Sequence, residues 1–401
     1  MLRFPRRSIR PPVAFLLLAL AGCGGSDGDN GPVDPPPPPP VDLELRVAGG
    51  GNNVPDRYTS DLWVHGNYAY TGTWGGGSRG GNSGNVVKIW ALDAGGAPTL
   101  ADSLVLPGSA VATVSDVEVS EDGSVLMFSR EGSADAGLYL YGLADPVHPA
   151  PLDFAPVRSG LHTATFAGIG GRRYAFAARN PPSPALEIYD VTDPTDIVLA
   201  TEVPVPSNYG IHDTYVRDGI AFVFAWNTGV IIYDVGNGVR GGSPQAPVEV
   251  SRIVTETGEV AGGPAAHNGW WFHNPVTDER RYLFVGQEGP GIVGSASSGD
   301  IHVVDVSDLA DPREVASFHL DGAGTHNFWM DEAHQILYAA YYNGGVVALD
   351  VTGTLVGDLA AREIARIQPG GTATYVWGVM LANGALWASD MESGFWKLSV
   401  P

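Results

Sequence analysis

The sequence has few cysteines and few charged side chains, and these shortages narrow the class of protein. Cys23 is the single cysteine in 401 residues, so the chain forms no internal disulfide and has no paired-cysteine metal motif. Charged residues make up only 16% of the chain, and no segment shows long helical periodicity. The Gly-rich phosphate loop, the GxSxG elbow and the HExxH motif are also missing, which argues against hydrolases of those families.

Positive charge is scarce, which bears on possible partners. The chain has 22 Lys and Arg residues against 44 Asp and Glu residues, for a net charge of −22. Without the first 22 residues, 18 basic residues remain and the net charge is −26. Such an acidic surface repels phosphate backbones and anionic membranes. We therefore expect no nucleic-acid partner, and the simplest role of the acidity is to keep a secreted protein soluble.

The N-terminal segment has the layout of a secretory signal. Four arginines precede a short apolar core, Val13 to Leu20, which is too short to span a bilayer and is followed by Ala21-Gly22-Cys23. This ending resembles the lipobox of bacterial lipoproteins. The resemblance implies that residues 1–22 are a signal peptide and that Cys23 becomes the lipidated first residue. Gly24, where an aspartate would favour inner-membrane retention, implies the outer membrane or the cell surface.

Residues 23–40 are predicted to form a stalk. They have almost no apolar content, and six consecutive prolines, Pro35 to Pro40, favour an extended polyproline helix of about 3 Å per residue. Residues 41–401 are then the folded domain. We expect it to be a monomer that contacts the membrane only through the lipid anchor.

An internal repeat is the strongest signal of fold. Apolar runs closed by Asp and Val recur about every 45 to 50 residues, and each unit holds several short strands. The clearest runs are Leu186 to Pro194, Val230 to Val235, Ile301 to Val306 and Val346 to Thr352, with weaker ones at Val87 to Asp93, Leu138 to Pro146 and Phe395 to Val400. With 54 glycines and 31 prolines to form turns, this spacing predicts an all-β, seven-bladed β-propeller.

The ends of the repeat array predict how the ring closes. The last repeat stops after three strands, while Val41 to Val47 precedes the first full repeat as an orphan strand. We expect this N-terminal strand to complete the last blade and so remove its exposed edges.

At Asp190 to Pro194 (DVTDP) and Asp305 to Pro312 (DVSDLADP) the chain resembles the LVIVD-repeat family of bacterial and archaeal propeller proteins. The resemblance covers roughly residues 58–401 and implies a propeller, often outside the cytoplasm, but no particular reaction. Three repeats have Ala91, Gly142 or Ser399 in place of the aspartate. The aspartates that remain are expected to accept backbone hydrogen bonds in the turn after the third strand.

Four consecutive blades start their inner strand with histidine: His162, His212, His267 and His326. Inner strands line the central channel, so these side chains form an arc at one mouth and could converge on a transition metal. Carotenoid-cleaving oxygenases, which are propellers, hold iron with four histidines, but this likeness is one of architecture only. The alternative is structural: a repeated His beside a polar residue ties one blade to the next, as in WD-repeat propellers.

Strand topology places further polar and aromatic residues on the face of the histidine arc. We predict ligand contacts there from Trp74, Arg130, Arg179, Trp226, Glu288, Tyr342, Asp390 and Glu392. The long insertions Thr73 to Asn85, Val254 to Ala265 and Gly286 to Asp300 fall on the same face. The other six histidines receive no site role.

Three functional hypotheses follow. The first is a surface-anchored binding module whose His-bearing face binds a protein, a glycan or a small molecule. The second is a metal-dependent enzyme with the four histidines as ligands, oriented by Glu288 or Asp213. The third is a scaffold that pairs through the opposite face. A two-carboxylate glycosidase also stays open, with Glu131, Glu288, Asp390 and Glu392 as candidates.

Overall fold

The structure is a computed structural model, and it describes residues 43–75, 83–93, 95–132, 134–256, 263–289 and 291–400. Cys23, the predicted signal peptide and the predicted stalk lie outside the described residues. Among the residues described, no helix is both long and apolar enough to cross a membrane.

The described chain is built of short strands joined by tight turns. The strands of the first four complete repeats are β2 (Tyr58–His65), β3 (Tyr68–Trp74), β4 (Val86–Ala91), β5 (Thr99–Val105), β6 (Thr113–Val119), β7 (Val125–Glu131), β8 (Gly137–Gly142), β9 (Ala150–Pro156), β10 (Leu161–Ile169), β11 (Arg172–Arg179), β12 (Ala185–Asp190), β13 (Val198–Pro204), β14 (Asp213–Arg217), β15 (Ile220–Phe224), β16 (Val230–Asp234) and β17 (Val248–Ile253). The remaining strands are β1 (Arg46–Gly50), β18 (Ala266–Phe272), β19 (Tyr282–Gln287), β20 (Ile301–Asp305), β21 (Arg313–Phe318), β22 (Phe328–Asp331), β23 (Ile336–Ala340), β24 (Val346–Asp350), β25 (Gly357–Asp358), β26 (Glu363–Ile367), β27 (Val376–Ala382), β28 (Ala385–Asp390) and β29 (Gly394–Ser399). Two single-turn 3-10 helices, Ala360–Arg362 and Gly371–Ala373, interrupt the last third.

These strands form seven antiparallel sheets within the described chain, which confirms the predicted seven-bladed propeller. Blades 1 to 4 take β2–β5, β6–β9, β10–β13 and β14–β17 in order. Blade 5 is β18–β21, with β25 added in parallel to its outer strand, and blade 6 is β22–β24 with β26. The Asp-Val runs predicted as third strands coincide with β4, β8, β12, β16, β20, β24 and β29.

Blade 7 is closed by the N-terminal strand, as predicted. Its order is β1-β29-β28-β27, and β1 pairs antiparallel with β29. The paired residues are Arg46–Gly50 rather than Val41 to Val47. The difference arises because Leu43 and Leu45 precede the ladder and insert into the core between blades 6 and 7.

Apolar side chains fill each junction between neighbouring blades. Seven of the buried clusters each draw on two adjacent blades, for example Phe176, Ile188 and Val223 between blades 3 and 4. Strands buried on both faces explain the near-continuous apolar runs of the repeats. The side chains of the innermost strands that point away from these junctions face the central channel.

The repeated geometry of the Asp-Val turns also agrees with prediction. Asp190, Asp234, Asp305 and Asp350 each accept a hydrogen bond from the backbone N–H two residues later. Asp234 accepts the most hydrogen bonds of the four, because it also accepts from the backbone N–H groups of Gly238 and Arg240. These turns lie at the end of the third strand, on the face opposite the histidines.

Replacing Asp234 with alanine is expected to lower the free energy of unfolding by about 2 kcal/mol, because three backbone N–H groups lose the buried carboxylate that accepts from them. Asp193→Ala is the control: this exposed carboxylate caps a turn that water can solvate, and its loss is expected to cost less than about 1 kcal/mol. Urea unfolding of both variants measures the difference, and equal effects would contradict the structural role of Asp234.

Candidate metal centre

Two positions of the repeat build the candidate site. The first is the start of the innermost strand, where four blades have histidine. The second is the end of the second strand of a blade, at its last residue or within two residues after it: Glu131, Asn180, Trp226, Glu288 and Tyr342. The chain at this position can also contact the inner strand of the next blade. For example, Trp226 and Ala266 exchange two backbone hydrogen bonds. Side chains at this second position flank the histidines: Glu131 lies beside His162, Trp226 beside His212, and Glu288 beside His267 and His326.

The four predicted histidines converge at one mouth of the channel. The ring centroids of His162 and His212 are 4.7 Å apart, those of His212 and His267 are 5.3 Å apart, and those of His267 and His326 are 4.1 Å apart. One nitrogen each from His162, His212 and His267 lies within 4.8 Å of the other two. Imidazoles at this spacing can share one metal ion.

Glu288 brings a carboxylate to the same cluster. Its Oε2 lies 3.5 Å from His267 Nε2 and 3.7 Å from His212 Nδ1, and its Oε1 lies 4.0 Å from His326 Nε2. The Tyr342 hydroxyl donates a hydrogen bond to Oε1 and holds the carboxylate in place. His267, Glu288 and His326 form a second group of three ligand atoms within 4.8 Å of one another.

The arc divides into one charged histidine and three neutral ones. Burial lowers the pKa of His212, His267 and His326 well below the usual range, and neighbouring imidazolium charge lowers it further. Burial also acts on His162, but the Glu131 carboxylate, 3.3 Å away, raises the pKa of His162 to about 9. The neutral form of imidazole binds metals, so these three histidines can act as ligands.

Burial raises the pKa of Glu288 to about 7, although the Tyr342 hydroxyl and the His162 charge oppose this. At neutral pH its carboxyl is therefore present in both the protonated and the ionised form. A metal cation at the cluster would favour the ionised form, because an opposite charge at close range lowers the pKa of a carboxyl.

His267 separates the metal interpretation from the structural one. It is 2% exposed, and in the described structure neither of its ring nitrogens makes a hydrogen bond of normal geometry, although the Asn268 side chain and the Glu288 carboxylate lie beside the ring. His326, in contrast, does tie two blades together, since its Nδ1 lies 2.7 Å from the carbonyl oxygen of Trp377. The structural role predicted as the alternative thus accounts for one nitrogen of His326 and for neither nitrogen of His267.

Two aromatic residues border the cluster in strained backbone conformations. Trp226 stacks on His212 with ring centroids 4.1 Å apart, and Tyr342 contacts His326 at 5.0 Å. Both occupy the left-handed region, with φ of 48° and 41°. Bulky residues adopt this conformation at a cost of about 1 kcal/mol or more, and such strain concentrates at functional sites.

The other predicted ligand contacts lie in different surroundings. Arg130 is fully buried and donates hydrogen bonds to the carbonyls of Pro107 and Ser109. Arg179 pairs with Glu187 and Glu202 at the outer side of blade 3.

The acidic candidates of blade 7 also have structural partners. Asp390 accepts hydrogen bonds from the backbone N–H groups of Tyr375, Glu392 and Ser393. Trp74 packs against Tyr58, and the backbone of Glu392 belongs to the Asp390 turn. The structure therefore joins Trp226, Glu288 and Tyr342 to the histidine arc, and it packs Trp74 against a buried cluster that includes Tyr342 and Trp377. Arg130, Arg179, Asp390 and Glu392 have other contacts.

Part of the predicted insertions covers this face. In the segment 286–300, Gly289 pairs with Ser298, Ser297 donates to Asn343, and Gly291 donates to the hydroxyl of Tyr375. The central parts of the other two insertions lie outside the described residues.

Sequence reasoning missed Glu131 as the partner of His162 and, apart from Asp213, it missed the channel residues below the arc. A signal was present: the inner strands read SDLW, SDVE, HDTY, HNGW and HNFW in blades 1, 2, 4, 5 and 6. The second residue of each motif is an acid or an amide, and the fourth is an aromatic residue or, in blade 2, Glu118. Because alternate residues of a strand point to the same side, both side chains face the channel.

Comparisons with known proteins agree with this architecture. Residues 56–77 and 296–319 match the LVIVD repeat family. The second segment contains one of the Asp-Val runs, and the first contains the inner hairpin of blade 1. No curated protein matches the chain in sequence. The chain is therefore a seven-bladed propeller, and two of its segments are similar to the LVIVD repeat.

Solved structures resemble the chain in fold. Sqt1 of Saccharomyces cerevisiae is 10% identical with a TM-score of 0.55, and the match covers 86% of this chain and 83% of that one. The computationally designed Ika8 protein is 11% identical with a TM-score of 0.51 and the same coverage. Raptor of Chaetomium thermophilum is 13% identical with a TM-score of 0.57, over 90% of this chain and 29% of Raptor. Identities this low show the propeller fold alone.

Proposed function

We propose that this protein is a metal-dependent binding module that holds a divalent transition metal at the histidine arc and presents it to a ligand on the same face. The observation that carries the proposal is His267: a buried imidazole with two nitrogens that lack hydrogen bonds, surrounded by two further imidazoles and a carboxylate. Buried polar atoms without partners are costly and rare in folded proteins. A metal ion would satisfy at least one of them.

The chemistry of the donors suits iron, copper, zinc or manganese. Imidazole is a common ligand for these ions, and two histidines with one carboxylate form a recurrent site for non-haem iron. His267 belongs to both groups of three donors, so one ion beside it would draw its other ligands from His162 and His212 or from His326 and Glu288.

Residues around the donors would orient them. The Trp377 carbonyl fixes one nitrogen of His326, Glu131 fixes one nitrogen of His162, and Tyr342 holds Glu288. Such outer contacts set the tautomer and orientation of metal ligands. They support a preformed site.

The partly exposed side of the arc supports access by an external ligand. His212 has 20% of its side chain exposed, Trp226 covers it, and Tyr209, 56% exposed, lies beyond Trp226 at 6.2 Å. A protein, a glycan or a small molecule could bind there. If the metal keeps an open position, the same geometry would serve a metal-dependent enzyme, which is the second candidate.

The proposed location is outside the cytoplasm, anchored by lipid at Cys23 and held off the membrane by the stalk. The support is the order of the N-terminal segment: arginines, a short apolar core, Cys23 and then a proline run.

Metal analysis of protein purified without an affinity tag tests the proposal. We expect about one equivalent of a transition metal, or one equivalent taken up on addition, and a loss of at least tenfold in affinity in His267→Gln. His302→Gln is the matched control: His302 is in the same blade and equally buried at 1% exposed, but it pairs with Glu314 outside the arc.

Less than about a tenth of an equivalent of any of these metals, with no uptake on addition, would refute the metal site. Equal loss of metal in both variants would point to damage to blade 5 rather than to loss of a ligand. Binding of the external ligand, once found, should fall when the metal is chelated.

A further inference from the structure

Below the histidine arc, the channel is lined by a layer of acids and amides. Asp61, Asp116, Asp213, Asn268 and Asn327 come from the inner strands of blades 1, 2, 4, 5 and 6 and face one cavity. Asn327 donates a hydrogen bond to Asp61 across the blades, with Nδ2 and Oδ1 2.9 Å apart. We call these five residues the carboxylate layer.

An aromatic layer lies two residues further along the same strands and consists of Trp63, Tyr215, Trp270 and Trp329. Blade 2 contributes Glu118 at the equivalent position. Alternate residues of a strand point to the same side, so the two layers are stacked along the channel. The aromatic rings form a continuous arc, with centroids 6.2 Å apart for Trp63 and Trp329, 5.3 Å for Trp329 and Trp270, and 5.2 Å for Trp270 and Tyr215.

Together the two layers enclose a cavity of about 270 Å³. That volume is many times the roughly 30 Å³ that one water molecule occupies in the liquid. It is large enough for a small organic molecule.

The charge of this cavity is unbalanced. It contains four carboxyl groups, of Asp61, Asp116, Glu118 and Asp213, and no lysine or arginine is among the residues that line it in the described structure. These acids accept hydrogen bonds from neutral donors, such as the N–H of Ala164 to Asp116 and the N–H of Phe166 to Glu118. Arg217, on the same strand as Tyr215, is paired with Glu332 at 3.1 Å. The charge of His162 in the arc acts on Asp116 and Asp213, but four buried acids with so little positive charge beside them are still unusual in a folded protein.

A buried amide beside His267 also lines the cavity. This residue, Asn268, is 2% exposed, and its Oδ1 makes no hydrogen bond of normal geometry within the described residues. Burial also raises the pKa of Asp61 and of Asp116, each beside the other.

We infer that the channel is a second binding site, distinct from the histidine arc, for a small organic cation with an ammonium group. The ammonium would lie against Asp61 and Asp116 with its body between Trp329 and Trp270. Carboxylates neutralise the charge, and the faces of tryptophan attract ammonium ions directly. The site does not depend on the proposed metal.

Spacing distinguishes an ammonium ion from a metal ion here. Within the described chain, groups of three metal-ligating atoms within 4.8 Å of one another include none of the channel carboxylates. A metal ion needs its oxygen ligands at 2.0 to 2.6 Å, closer than these acids approach a common point. An alkylammonium ion is larger, and its methyl or methylene groups suit the tryptophan walls.

Calorimetry on the full chain, dialysed against a chelator, tests the inference with two probes, choline and putrescine. At least one is expected to bind, and choline, if it binds, should do so at least tenfold more tightly than its uncharged isostere 3,3-dimethylbutan-1-ol. Asp116→Asn and Trp329→Phe, which change one residue of each layer, should each weaken binding about tenfold. Asp234→Asn, a buried acid in a turn of the opposite face, is the matched control and should leave affinity unchanged.

The same titration in His267→Gln separates this site from the metal centre, since amine binding should persist there while metal binding is lost. Failure of both probes to bind at about 10 mM would overturn the inference. So would equal binding of the uncharged isostere, binding unaffected by both channel variants, or uptake of calcium alone at these acids.

Discussion

Truncation of the chain through Gly50 is expected to lower the free energy of unfolding by about 5 kcal/mol relative to truncation through residue 42. The segment between these points contains Leu43 and Leu45, 7% and 8% exposed, and the whole of β1. Each buried leucine contributes about 2 kcal/mol, and the ladder between β1 and β29 adds to this. Urea unfolding of the two truncated proteins measures the difference.

The same truncation should also change the association state. Without β1, the outward edge of β29 has unpaired backbone groups, and exposed edges pair with other chains. We expect the shorter protein to aggregate or dimerise while the longer one stays monomeric in light scattering. Equal stability and equal size of the two proteins would show that β1 is not needed to close the ring.

The fold was predictable because every blade repeats the same local signals. The Asp-Val run marks a third strand and its turn, and the aspartate hydrogen bonds enforce that turn. Boundaries were less predictable where side-chain burial overrides the strand pattern: Leu43 and Leu45 continue the alternation of a strand, yet they precede the ladder. The two-residue strand β25, which extends blade 5 from within blade 6, has no sequence signal of its own.

The histidine arc was predictable because the repeat register aligns four histidines at one position. The side chains between them were harder to assign. Glu131, Trp226, Glu288 and Tyr342 share a repeat position but not a residue type, so only the hairpin geometry shows that they surround the arc. Arg130 and Arg179, one residue earlier, have different partners, because successive residues of a strand point to opposite sides.

The repeat also explains why two sites lie so close together. His267 and Asn268 are adjacent, as are His326 and Asn327, yet in each pair the first residue belongs to the arc and the second to the carboxylate layer. A β-bulge in several inner strands, for example between Ala266 and Asn268, allows neighbouring residues to serve both. Bulges of this kind redirect side chains at binding sites.

Replacing His267 with leucine is expected to raise the free energy of unfolding of the metal-free protein by about 1 kcal/mol. The reason is that leucine has nearly the same volume and removes two buried nitrogens that make no hydrogen bond. With metal at a thousandfold excess over its dissociation constant, the natural protein should gain about 4 kcal/mol and the variant almost nothing. The order of stability of the two proteins should therefore reverse when metal is added.

For His302→Leu, at an equally buried position, we expect the opposite result, a loss of stability. His302 pairs with Glu314, so its loss leaves a carboxylate without its partner and should cost about 2 kcal/mol with or without metal. Thermal unfolding of the three proteins, with a chelator and with metal, gives the comparison. If the metal-free His267→Leu variant proves less stable than the natural protein and metal stabilises both equally, His267 is a packing residue and the metal binds elsewhere.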